Sequence, residues 1–150
     1  MTGSLDSATT SRADIGYFVN KAVLVVEDEP FLAIDIALTF EGEGARTLHA
    51  TNCAQAERAI AAVGGPNGLI GAVLDVRLGN NETVRPIAEL LAEAGVPIVL
   101  HTFMNPREAR EMTGVEAMQI TKPASPSALI SALRQAAQAK AQVHTEELMH

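Results

Sequence analysis

The sequence has no tryptophan, one tyrosine and four phenylalanines among its 150 residues. A core with so few rings must be filled by Ala, Val, Leu and Ile, as where helices pack closely on a sheet. Cys53 is the single cysteine, so no internal disulfide can form, which fits a reducing compartment. Long apolar runs are missing too. Residues 1–20 are rich in Ser, Thr, Gly and Asp, which excludes a signal peptide or membrane span there, and the expected location is cytoplasmic. Positive charge is scarce: 11 Lys and Arg stand against 18 Asp and Glu, a net charge of −7, with no basic run. Such a surface repels nucleic acid and anionic lipid, so neither is expected as a partner. There is no Gly-rich phosphate loop, no zinc-type spacing, no serine elbow and no Cys–His pair suggesting a nucleophile.

What is present is a regular alternation. Val23, Leu24, Val25 and Val26 make a short, β-branched, continuous apolar run, the pattern of a strand buried on both faces. Similar runs occur at 70–74 and 97–100, and weaker ones at 46–50 and 117–120 suit the edges of a sheet. Helical spacing lies between them. Pro30 opens one helix, through Ile36 to about Phe40. Asn52 and Gln55 form a capping box before the stripe Cys53, Ala56, Ile60, Val63. Val84, Ile87, Ala88 and Leu91 form the next stripe. A short helix should start at Asn105-Pro106 and end near Gly114. Ser125 and Pro126 begin the last, with Leu129, Leu133, Ala136 and Ala137 on its apolar face. Strand and helix thus alternate five times, which requires a parallel sheet with helices on both faces. The expected organisation is a flexible leader over 1–20, one α/β domain over 21–140 and a polar, frayed tail over 141–150.

In an open parallel sheet, chemistry collects beyond the carboxyl ends of the strands. Glu27, Asp28 and Glu29 follow the first strand, Asp75 the third, Thr102 the fourth, and Lys122-Pro123 the fifth. Glu27, Asp28 and Asp75 would bring like charges together, which calls for a cation between them. Oxygen-only ligands favour Mg²⁺, which contacts few protein oxygens at roughly 2.1 Å and keeps several waters. Asp75 is then a carboxylate nucleophile for a phosphoryl group, Lys122 a second cation for its oxygens, and Thr102 a hydroxyl donor to it.

Val-Val-Glu-Asp-Glu-Pro at the first strand, Leu-Asp-Val-Arg-Leu-Gly at the third, Pro-Ile-Val-Leu-His-Thr at the fourth and Thr-Lys-Pro at the fifth resemble the receiver domain of two-component response regulators. The resemblance spans about residues 21–140. It implies a flavodoxin-like (βα)5 doubly wound parallel sheet of strand order 2-1-3-4-5, in a single-domain response regulator. The implied phosphoacceptor is Asp75, supplied by a sensor histidine kinase or a histidine phosphotransfer protein, with output through contact with a downstream protein. Asp28, Asp75 and the backbone carbonyl of Arg77 would ligate Mg²⁺, and Glu27 would bind it through water. Thr102 and Lys122 would sense the phosphoryl group. Such a chain is a phosphoacceptor signalling protein that promotes its own Mg²⁺-dependent phosphotransfer and dephosphorylation, not a conventional enzyme. The 74–80 segment and its following helix look most like short alphaproteobacterial receivers that carry Phe-Ala-Thr-Gly-Tyr at the fourth strand. Here that segment is Leu100-His101-Thr102-Phe103-Met104, a partial match.

Departures from the family pattern define the alternatives. Phe103 stands where a small residue is usual, and Gln119 where the family places its switch aromatic. Both keep open a phosphorylation-independent adaptor built on the same fold. Phe103 could take over as the moving ring. Arg77 occupies the position where aspartyl phosphatases carry a second acid, which argues against that activity. His101 is expected to be packed or hydrogen-bonded in its strand, His49, His144 and His150 to lie on the surface, and Cys53 to be a small core residue.

Overall fold

Residues 16–149 are described by the structure, a computed structural model. Most of the leader expected over 1–20, the end of the expected tail, His150 and the side chain of His144 lie outside the described residues. Among the described residues five strands and five α-helices alternate, with one short 3-10 turn at Pro66–Gly68 ahead of the third strand. They are β1 (Ala22–Val26), α1 (Pro30–Gly42), β2 (Arg46–Ala50), α2 (Cys53–Ala62), β3 (Gly71–Leu74), α3 (Arg85–Glu93), β4 (Ile98–Thr102), α4 (Pro106–Thr113), β5 (Met118–Thr121) and α5 (Pro126–Leu148). The strands pair in parallel in the order β2-β1-β3-β4-β5. The two weakly apolar segments are the edges, as their composition required.

The continuous apolar strands serve two cores at once. Leu24, Val26, Ala72, Leu74 and Leu100 face α2, α3 and α4. Val23, Val25, Val73 and Val99 face the layer of α1 and α5. Side chains alternate along a strand, so a strand between two helical layers must be apolar at every position. Phe18, from the turn preceding β1, is fully buried and meets the Phe40 ring edge-on at 5.4 Å, closing the second core near α1.

Helix starts follow local chemistry. Asn52, Asn105 and Ser125 each accept the backbone N–H three residues on, a cap of about 1 kcal/mol. The returning arm of the Asn52 box lands one residue early: Gln55 Oε1 accepts from the N–H and the hydroxyl of Thr51. Gly114 ends α4 in the left-handed region at φ 75°, where only glycine is unstrained. Gly71 has a different reason. A Cβ there would lie 2.6 Å from Leu133 Cδ1, so the missing side chain lets α5 sit against β3.

One expectation needs correction. The polar composition after Ala141 suggested a frayed tail, but α5 continues through it to Leu148. Ala, Gln, Lys and Glu are strong helix formers, so polarity there marks a solvated helix surface and not a break.

Candidate functional site: an acidic cluster and a lysine at the carboxyl edge of the sheet

The parallel ladder fixes where each strand releases its next residue. The Glu27 N–H donates to the Ala50 carbonyl at 3.0 Å, Asp75 N–H to Val26 carbonyl at 2.9 Å, and Lys122 N–H to Thr102 carbonyl at 2.9 Å. β1, β3, β4 and β5 therefore open onto the same rim. Glu27, Asp28 and Asp75 each bring a carboxylate oxygen to within 4.8 Å of the others. Glu27 and Asp75 are buried; Asp28 is exposed.

Lys122 Nζ joins the two buried acids. It lies 2.9 Å from Asp75 Oδ2 and 3.0 Å from Glu27 Oε1. Burial pushes the Glu27 carboxyl up to about 7, and the negative charge of Asp75 pushes the same way. Hydrogen bonds from Lys122 and from the Glu29 N–H partly offset this. For Lys122, burial disfavours the charge, but bonding to Asp75 and Glu27 together with their charges outweighs burial and raises the ammonium above its usual value. Among the described residues the rim thus holds two buried acids, one exposed acid and a buried lysine.

The other expected residues are distributed around that rim. Thr102 ends β4 with its side chain buried, and its Oγ1 accepts the Met104 N–H at 3.3 Å. Arg77 is exposed, and pairs with Thr83 across a short antiparallel bridge. In that bridge Leu78 N–H donates to the Glu82 carbonyl and Val84 N–H to the Val76 carbonyl. The Arg77 carbonyl takes no part in these two flanking hydrogen bonds. Glu29 turns away from the cluster to cap α1, accepting the Leu32 N–H at 2.6 Å.

Three relationships were not legible in the sequence. His49, exposed on β2, places Nε2 3.1 Å from the Glu27 carbonyl and steadies the chain where the acids begin. Phe103, 76% exposed, has its ring centroid 5.7 Å from Lys122 Nζ. Gln119 donates from Nε2 to the Met104 carbonyl. Only the strand register, which brings Gln119 opposite Leu100, would have hinted at the last. His101 is packed as expected, but neither ring nitrogen finds a hydrogen-bond partner among the described residues. Burial, with the Lys122 charge, holds its pKa down to about 4, so the imidazole is neutral. Cys53 is a core residue whose Sγ meets the Thr83 carbonyl at 3.3 Å.

The donor chemistry suits a hard divalent cation. Three carboxylates against one ammonium leave two negative charges when all are ionised, and every acidic ligand atom is oxygen.

Comparison with solved structures agrees with the fold. A response regulator receiver protein from Sinorhizobium medicae superposes with a TM-score of 0.69 at 22% identity, over 81% of this chain and 97% of that one. The fold is that of a receiver domain. The PhyR stress response regulator matches at TM-score 0.64 and 24% identity, over 89% of this chain and 52% of its own. The BeF3-activated N-terminal receiver domain of Klebsiella pneumoniae RstA matches at TM-score 0.62 and 23% identity, over 77% and 97%. No protein-family model and no curated protein matches the chain. The receiver fold accounts for strand order 2-1-3-4-5 and for a rim on which residues far apart in sequence meet. Among the described residues, no helix is long and apolar enough to cross a membrane.

Proposed function

We propose that this chain is a response regulator receiver that takes a phosphoryl group on Asp75 and signals by protein contact. The observation that carries the reading is the Lys122 ammonium bonded to both buried acids, Asp75 and Glu27, at the open rim of the sheet. A lone lysine between two desolvated carboxylates is poised to follow new negative charge arriving on one of them. The donor is a phosphohistidine of a sensor kinase or histidine phosphotransfer protein. An Asp75 carboxylate oxygen forms the new bond to phosphorus as the phosphorus–nitrogen bond breaks; the imidazole leaves with the electron pair and takes a proton. Glu27, Asp28, Asp75 and the Arg77 carbonyl would hold Mg²⁺, which when bound neutralises charge on the transferring oxygens. Lys122 supplies a second positive charge to those oxygens, and Thr102 a hydroxyl proton.

Intact-mass measurement after incubation with phosphoramidate and Mg²⁺ tests this. The wild type should gain one phosphoryl group and Asp75→Asn none. A folded wild type that gains nothing, or a variant that gains at the wild-type rate, removes Asp75 from the mechanism.

Phe103 supports a second reading, a phosphorylation-independent adaptor. Its exposed ring beside Lys122 offers an apolar contact at the rim without any modification. Partner affinity unchanged by Asp75→Asn and by phosphodonor would favour it.

A further inference from the structure

Met104 lies in the connection between β4 and α4, and its peptide groups are held from two sides. Its N–H donates to Thr102 Oγ1 at 3.3 Å. Its carbonyl accepts from Gln119 Nε2, which reaches over from the edge strand β5. Leu100 and Gln119 stand opposite each other in the β4–β5 register, and the half-buried Met104 side chain packs on the core that Leu100 faces. Gln119, Met104 and Thr102 are therefore linked in one chain of hydrogen bonds that ends at the rim.

The chemistry of a hydroxyl gives this chain direction. Thr102 Oγ1 carries one proton and accepts through its lone pairs. While it accepts the Met104 N–H, its own proton is left to donate elsewhere. Without that amide the rotor can turn the proton toward another acceptor and present a lone pair to an incoming oxyanion, which repels it. A fixed donor at the place where charge develops needs no reorganisation when the charge arrives.

We propose that Gln119 is a positioning residue: by holding the Met104 carbonyl, it keeps the Met104 N–H on Thr102 Oγ1 and so aims the Thr102 proton at a phosphoryl group on Asp75. The proposal rests on the reading of Asp75 as the phosphoryl acceptor. Gln119 touches neither donor nor acceptor and acts only through Met104. The same link gives the modified site a route to the surface. A phosphoryl oxygen drawing on the Thr102 proton makes Oγ1 a stronger acceptor for Met104, tightening the β4–α4 connection against β5.

A double-mutant cycle tests it. Gln119→Met keeps the shape and loses the donor; Thr102→Val keeps the shape and loses the hydroxyl. Phosphorylation by phosphoramidate with Mg²⁺ is followed over a range of donor concentrations, and Met104 amide hydrogen exchange is followed by NMR. Gln119→Met should lower the saturating rate about fivefold, the worth of one hydrogen bond, with the half-saturating donor concentration unchanged. Added to Thr102→Val it should lower the rate no further. Met104 exchange should rise several-fold in each single variant. Equal losses with and without Thr102→Val, or no loss at all, overturn the proposal. If the wild type takes up no phosphoryl group, the reading of Asp75 fails by itself. Positioning is then judged on Met104 exchange alone, and exchange unaltered in Gln119→Met overturns it.

Discussion

Lys122 donates to Asp75 Oδ2 at 2.9 Å across forty-seven positions of sequence. Both side chains are about nine-tenths buried, so water does little to screen their attraction. The same ammonium serves Glu27, and the rim is held together by a cation shared between two acids that would otherwise repel.

Removing the cation should therefore cost more at high pH than at low pH. In Lys122→Met the repulsion between Glu27 and Asp75 is uncompensated, and the metal-free protein should lose about 3 kcal/mol at a pH high enough to ionise both acids. Glu27 already titrates at about 7 and rises further without its lysine. Below that pH it takes a proton, the repulsion disappears and much of the loss is recovered. Urea unfolding of wild type and variant on both sides of neutrality checks this. A loss independent of pH would mean that Lys122 does not act by relieving the two acids.

Mg²⁺ should stabilise the folded chain by mass action, by about 2.7 kcal/mol at a hundredfold excess over its dissociation constant. Asp28→Asn removes the exposed member of the acid group and should abolish most of that gain with little effect on the metal-free melting temperature. The gain should be larger above pH 7 than below, because the proton on Glu27 must leave before the acids can act together. Melting temperatures that ignore Mg²⁺, or that respond equally in Asp28→Asn, would refute the assignment.

His101 carries an acid sensitivity. Its folded pKa is held at about 4 against 6.5 for an ordinary histidine. Between those values the unfolded chain binds a proton that the folded one refuses, so this contribution to stability falls as pH is lowered. The full loss is about 3 kcal/mol. Glu27 acts in the opposite sense: its raised folded pKa keeps a proton between 4.5 and about 7 that the unfolded chain has lost, so its contribution weakens as pH rises. The two slopes oppose each other in the metal-free wild type. His101→Leu should expose the Glu27 slope and gain on the wild type as pH falls from 6.5 toward 4. Parallel pH–stability curves for the two proteins would contradict this.

Gly71 should tolerate no side chain cheaply. The Cβ of Gly71→Ala would press on Leu133 Cδ1, forcing α5 outward or Leu133 into another rotamer, at about 1–3 kcal/mol. Thermal unfolding reads the loss. Gly71→Ala combined with Leu133→Ala should lose less than the sum of the two single changes, because the second relieves the clash made by the first.

Much of this protein was legible before any fold was drawn. Five apolar segments, with caps such as Asn52, Asn105 and Ser125, are local signals, because strand burial and helix capping depend on neighbours a few residues away. The weak segments at 46–50 and 117–120 identified themselves as edges by the same logic. The tail after Ala141 misled, because polarity there reports solvent exposure and is silent about helix formation.

The sequence by itself determined the alternation, the parallel sheet it forces and the roster of polar residues at the strand ends, since each depends on periodicity and chemical type. Tertiary structure alone decided how those residues use one another: His49 on the Glu27 carbonyl, Lys122 shared between two acids, Gln119 tied to Met104. A hydrogen bond depends on distances of a few tenths of an ångström between groups far apart in sequence, and only the strand register and helix packing set those distances.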